Sequence, residues 1–202
     1  MDLFPIMLKL QGKKCIVIGG GEVAESKTGA LLASGAQVIV VAPQACASIQ
    51  EQAGKRILTW YPRSFVPGDV DGAFLVIAAT NSPAVNEAVY RACTERGVLC
   101  NVADDPEHCH FFYPAVVRRG ALQIAISTGG RSPALAHRLR VELEQQFGPQ
   151  YQEWVEHLGR VRREVRARSI PADERRRLLE QIASPEAYED FLRQASAPGE
   201  GG

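Results

Sequence analysis

Cys15-Ile16-Val17-Ile18-Gly19-Gly20-Gly21-Glu22-Val23-Ala24 is the stretch that decides the fold. Four apolar residues, three of them β-branched, run without a polar interruption, the mark of a strand covered on both faces in a parallel sheet. Three glycines end the run, and a helical stretch over about Glu22 to Ser34 follows until Gly35 stops it. Residues 19–24 fit the spacing G-x-G-x-x-A. Glycine permits the tight turn and a close approach to the backbone, and the helix start offers free N–H donors to a pyrophosphate. A strand before and a helix after make this a dinucleotide-binding turn; the competing reading is a glycine turn in an α/β domain that binds nothing.

Outward from this turn the alternation continues. Val38 to Val41 is a second strand stopped by Pro43, Ile57 to Tyr61 a weaker third, Phe74 to Ile77 a fourth. Ser82-Pro83 starts a helix as N-cap and first-turn proline. Val85, Ala88, Val89, Ala92 and Cys93 lie on one of its faces, Gly97 ends it, and Val98 to Val102 is a fifth strand. Strand and helix in turn predict a doubly wound, Rossmann-type α/β domain over 1–113. Ligands of such sheets sit beyond the carboxyl ends of the strands, so residues 19–24, 42–44, 78–81 and 101–105 are expected around one crevice. Gly19, Gly21, Glu22, Val23, Ala24, Pro43, Gln44, Thr80, Asn101 and Val102 are the expected cofactor contacts. The acidic residue that usually ends the second strand is replaced by Ala42-Pro43-Gln44, leaving the ribose hydroxyls to Gln44 or to backbone groups. No arginine stands there for a 2′-phosphate, which favours NAD over NADP.

After about Pro114 the pattern changes. Ala115 to Val117 and Leu122 to Ile126 flank Arg118-Arg119-Gly120 as a hairpin. Ser132 caps a helix striped by Leu135, Leu139, Leu143 and Phe147, giving a small α+β segment over 114–148. Its apolar faces exceed what one Rossmann core covers, so a homodimer built on this segment is expected. Residues 149–202 read as helical, with Trp154, Leu158, Val161 and Val165 on one face, shorter helices around Leu178 to Ile182 and Tyr188 to Leu192, and a frayed polar tail from Ser196. The arginines at 160, 162, 163, 166, 168 and 175–177 read as solvated helix faces, Lys27 as a surface residue, and Trp60 and Trp154 as core or interface.

The 202 residues are 46% hydrophobic and 23% charged, ordinary for a folded domain, and 23 basic side chains balance 23 acidic ones. That balance argues against a nucleic-acid partner bound through bulk charge. No apolar run is long enough for a membrane helix, no leader is evident, and five scattered cysteines suit a reducing, cytoplasmic setting. His108-Cys109-His110 lacks further ligands at zinc spacing and reads as a polar loop, so no metal site is expected.

Taken together, the chain resembles the precorrin-2 dehydrogenase/sirohydrochlorin ferrochelatase family of siroheme biosynthesis. The likeness runs from Phe4-Pro5-Ile6-Met7-Leu8 through Val17-Ile18-Gly19-Gly20-Gly21 with Val23, Ala24 and Lys27, and on through Ala78-Ala79-Thr80. It continues in Asn101-Val102 with Asp104-Asp105 and in Phe112-Tyr113-Pro114-Ala115, and ends in Ser127-Thr128-Gly129-Gly130 and Ser132 to Ala136. The resemblance implies a homodimer with an intertwined central segment that uses NAD to oxidise precorrin-2 to sirohydrochlorin. Some relatives also insert ferrous iron, and others are fused to a methyltransferase; this chain is expected to be the stand-alone form. The Asn-Val-x-Asp-Asp block makes Asp104 the family's essential aspartate, a candidate base, with Asp105 read as a cap of the turn into Pro106. A polycarboxylate substrate needs cations and backbone donors, so Ser127, Thr128, Gly129, Gly130, Arg131, Arg118 and Arg138 are expected to bind it. Several relatives carry serine where Thr128 stands. Two alternatives stay open: a bifunctional enzyme that also chelates iron, and a non-catalytic dinucleotide sensor, which gives no reason for the Ser127–Pro133 block.

Overall fold

β1 (Lys14–Ile18) is the middle of a five-stranded sheet in the computed structural model, which describes residues 3–196. After it come α1 (Glu22–Ala33), β2 (Gln37–Val41), α2 (Ala47–Gly54), β3 (Thr59–Tyr61), β4 (Leu75–Ala78), α3 (Pro83–Glu95) and β5 (Leu99–Val102). All pairings are parallel, in the order β3-β2-β1-β4-β5. The chain first winds outward from β1 to β3, then returns to β1's other side, so the order reverses between β1 and β4, where α/β sheets open a ligand crevice. Register puts the strand ends at one level: Ile18 pairs with Val41 and with Ala78, and Ala78 with Val102. The loops that follow these four strands therefore emerge along a single edge.

The apolar runs are buried on both faces because alternate side chains enter different cores. Ile16, Ile18, Val76, Ala78, Cys100 and Val102 pack with Val89, Ala92 and Cys93 of α3. Cys15, Val17, Val38, Val40, Leu75 and Ile77 pack with Ala24 and Leu31 of α1 and Ile49 of α2. The short helix α2 has no counterpart in the sequence reading. It holds one buried apolar residue, Ile49, too little for a helical stripe to show. Trp60 is half-buried, its indole N–H donating to the Ala42 carbonyl at 3.0 Å.

The compact unit just described ends at Tyr113, and a second begins at Pro114. In the second, β6 (Ala115–Arg119) and β7 (Leu122–Ile126) pair antiparallel around a two-residue turn. Gly120 takes the first central place at φ +57°, a conformation that suits glycine. α4 (Pro133–Gln146), α5 (Tyr151–Ala167), α6 (Ala172–Gln181) and α7 (Pro185–Ser196) follow. α6 and α7 are longer than the sequence reading drew them, and the tail from 197 lies outside the described residues. Trp154, 6% exposed, packs with Tyr188 and Phe191 of α7. Among the described residues no helix is long and apolar enough to cross a membrane.

Candidate functional site

A cavity of about 810 Å³ opens at the carboxyl edge of the parallel sheet. Its wall is the glycine turn Gly19–Val23, the β2 end Val41–Gln44, the β4 end Ala79–Ser82, and Ala103 and Asp104 beyond β5. The glycines have separate reasons to be there. Gly19 sits at φ +127°, and a Cβ on it would collide with the Ala79 carbonyl; one on Gly20 would collide with the Gln44 carbonyl. Those two let neighbouring loops close. Gly21 meets nothing within 4 Å and is the N-cap of α1, with no side chain capping the helix. The first N–H groups of α1 are thus offered to the cavity beside a residue with no side chain, a cradle that suits a pyrophosphate.

Gly19, Gly21, Glu22, Val23, Pro43, Gln44 and Thr80 all line this cavity, as does Asp104. Three expected contacts stand elsewhere. Ala24 is fully buried against the sheet, where its small size lets α1 approach β1. Val102 is 2% exposed in the core under α3. Asn101 is 7% exposed, and its amide donates to the Phe111 carbonyl at 2.9 Å, tying β5 to the returning chain. Conversely, Ser64, Phe65 and Val85 line the cavity without any sequence signal. The loop bearing Ser64 and Phe65 is fastened by Arg63, whose guanidinium meets both carboxylate oxygens of Asp69 at 2.9 and 2.5 Å. Asp69 also accepts the Val66 N–H at 2.8 Å, and these bonds hold its carboxyl below the usual range. Asn86 is a further unforeseen partner: its amide oxygen receives the Thr80 hydroxyl at 2.7 Å and its nitrogen donates to the Thr80 carbonyl at 3.0 Å.

Asp104 is exposed and holds φ +60°, a left-handed backbone that aspartate tolerates better than most residues. Flanking bonds impose it: Ala103 N–H donates to the Ala78 carbonyl at 2.8 Å, and Asp105 N–H to the Val102 carbonyl at 3.3 Å. Asp105 is not part of the cavity wall; its carboxylate lies 2.7 Å from Nδ1 of His108. His108 and His110 flank the Tyr90 ring, and Nδ1 of His110 accepts the Cys100 N–H at 3.1 Å, so both imidazoles have protein partners. Lys27, expected on the surface, is half-buried, its ammonium 3.8 Å from the centroid of the Tyr113 ring. Burial lowers its pKa, and the negative charge of Asp104 opposes that shift. One turn of α1 beyond the glycine loop brings Lys27 back toward the β5 side, which the helical spacing alone does not show.

In the second unit, the loop before α4 is a compact set of backbone bends. Gly129 and Gly130 take φ +61° and +79°. Ser127 Oγ accepts the Gly129 N–H at 3.2 Å, Thr128 Oγ1 the Ser132 N–H at 3.0 Å, and Ser132 Oγ caps α4 through the Leu135 N–H at 3.2 Å. Arg131 and Arg118 are exposed, and Arg138 lies 3.3 Å from Glu142 in a surface pair. Arg119 is spent structurally, closing the carboxyl end of α4 through the Phe147 and Glu144 carbonyls at 2.7 and 2.9 Å.

Residues 6–115, which hold the whole cavity, match the family model described as putative NAD(P)-binding. Residues 119–146 match the model described as sirohaem biosynthesis protein central. The chain belongs to the siroheme synthase family. Siroheme synthase 3 of Aeromonas hydrophila is 38% identical over 200 residues, 99% of this chain and 42% of that protein. Siroheme synthase of Photorhabdus laumondii is 38% identical over 181 residues, 90% of this chain and 38% of that protein. This member therefore spans about two fifths of the length of those two relatives. The solved structure of SirC, precorrin-2 dehydrogenase, superposes with a TM-score of 0.78 at 29% identity, over 95% of this chain and 98% of that one. That likeness covers the Rossmann-type sheet, the hairpin and the C-terminal helices of this siroheme synthase relative together.

Proposed function

We propose that this chain oxidises precorrin-2 to sirohydrochlorin with NAD. The observation that carries the reading is the exposed carboxylate of Asp104 on the wall of a dinucleotide-sized crevice, in a chain matching almost the whole of a precorrin-2 dehydrogenase. Bound NAD would supply a hydride acceptor. The uncapped start of α1 and the bare Gly21 would receive its pyrophosphate, and Pro43 and Gln44 its ribose. The β2 end holds no cation, and the guanidinium of Arg63 is already committed to Asp69, which favours NAD over NADP. Oxidation removes a hydride and a proton from the reduced tetrapyrrole. Asp104 takes the proton as general base and returns it to water.

The polycarboxylate substrate is assigned to Ser127, Thr128, Gly129, Gly130 and Arg131 at the start of α4, with Arg118 and Arg138 as further cations. Homodimerisation through 114–148 is part of the reading: Leu135 and Val141 of α4 remain 38% and 37% exposed, apolar surface that a second copy would cover. Five free thiols suit a cytoplasmic enzyme. The test is anaerobic incubation of the chain with precorrin-2 and NAD, with and without ferrous ion. NADH formation in step with sirohydrochlorin is expected in both arms, and siroheme in the iron arm would add the chelatase. Tight NAD binding without turnover would replace this reading with a dinucleotide sensor.

A further inference from the structure

We propose that the groove between α5 and α6 is a binding site for a small multivalent oxyanion, a polycarboxylate or a condensed phosphate. The groove encloses about 440 Å³ and is lined by Arg162 and Arg166 of α5 and by Arg175, Arg176, Leu179 and Glu180 of α6. The α6 positions 172, 175, 176 and 179 in its wall recur at the spacing of a single helix face, and Ala183 just beyond the helix completes the wall. In an ordinary helix pair that face is an apolar stripe. Here arginines from both helices share the seam, four guanidinium groups against the one carboxylate of Glu180.

The cations are poorly matched within the protein. Arg162 and Arg166, one turn apart on α5, have no ion-pair partner among the described residues. Arg176 reaches only the exposed Asp173, at 3.4 Å. Arg175 donates one Nη to the Ile170 carbonyl at 3.2 Å, while its Nε is buried with no acceptor. A buried N–H of a permanent cation is costly to leave unmade, so Arg175 is not fully satisfied within the protein. Guanidinium forks favour carboxylate and phosphate because two N–H groups meet two oxygens at once. Arginines on two facing helices call for an anion with at least two such groups, and the volume is that of a small-molecule pocket. The inference is independent of the dehydrogenase reading, because the groove lies on helices that reading does not use.

The test uses the full chain saturated with NAD, so that the glycine turn is already occupied. Citrate and tripolyphosphate are titrated separately by calorimetry, each against sodium chloride of equal ionic strength. One saturable site for at least one anion is expected, and which of the two binds identifies the oxyanion class. Arg162→Gln with Arg166→Gln should weaken binding at least about tenfold, the loss of one well-made charged contact or more. Arg177→Gln, which removes one positive charge outside the groove, should leave binding unchanged. Arg175→Lys, which keeps the charge but not the fork, should also weaken it, and it serves if the double variant does not fold. No saturable binding beyond the salt control overturns the proposal. So does binding that survives both groove variants, or that falls equally in Arg177→Gln.

Discussion

Replacing Gly21 by Asp separates what the fold needs from what the cofactor needs. At the N-cap of α1, Gly21 has φ −86° and ψ −171°, extended backbone open to any residue, and nothing lies within 4 Å of its missing Cβ. Asp is a preferred N-cap, so the helix should gain up to about 1 kcal/mol. The new carboxylate would stand where a pyrophosphate must come. A unit charge about 5 Å from another, in an effective dielectric of about 20, costs about 3 kcal/mol. The two pyrophosphate charges roughly double that, and water in the open cavity takes back about half, leaving about 3 kcal/mol, or a hundredfold in Kd. Gly21→Asp should therefore melt no lower than the parent chain while NAD binding, titrated calorimetrically, weakens by about two orders of magnitude. Gly20→Ala should do the opposite, losing stability because its Cβ meets the Gln44 carbonyl. A Gly21→Asp chain that melts normally and binds NAD as tightly as the parent would refute this placement of the pyrophosphate.

Asp104→Asn keeps the side-chain shape and the tolerance for positive φ, so it should fold and bind NAD yet lose dehydrogenase turnover by about 10²–10⁴-fold; Asp105→Asn, whose carboxylate faces His108, should lose far less. Parent-like NADH formation by Asp104→Asn would remove the base from the mechanism. The Asp69 carboxyl has its pKa lowered by Arg63, so its contribution to stability is present above its unfolded pKa of about 4 and is lost as pH falls through the lower folded value. Asp69→Asn should accordingly melt below the parent at about pH 6, by a gap that narrows as pH falls below about 4; a gap independent of pH would show that the ion pair is not its source. The exposed apolar surface of α4 predicts a dimer by analytical ultracentrifugation at micromolar concentration, dissociated by Val141→Glu; a monomeric parent chain would contradict it.

How much of this was legible beforehand follows from the range of each interaction. The alternation of strand and helix, the glycine turn, the Ser82 and Ser132 caps and the hairpin at Gly120 all rest on patterns within a few residues, and the sequence alone determined them. Asp104 was also legible, because a residue just past a parallel strand must emerge at the ligand-binding edge. Other assignments depended on which elements meet, which follows from the order β3-β2-β1-β4-β5 rather than from any local pattern. Asn101 lies within the strand that Asp104 follows, and its side chain turns inward, because the chain returning through Phe111 presents a carbonyl to it. Lys27 looks like one more charge on α1 until Tyr113 comes back over it. Ser64 and Phe65 reach the crevice because β3 lies beside β2, and the arginines of 162–176 become a groove only when α6 folds back on α5. Local propensity set the elements. The long-range order of the sheet and the pairing of the helices decided which side chains share a site, because neither is recorded in the spacing of residues along the chain.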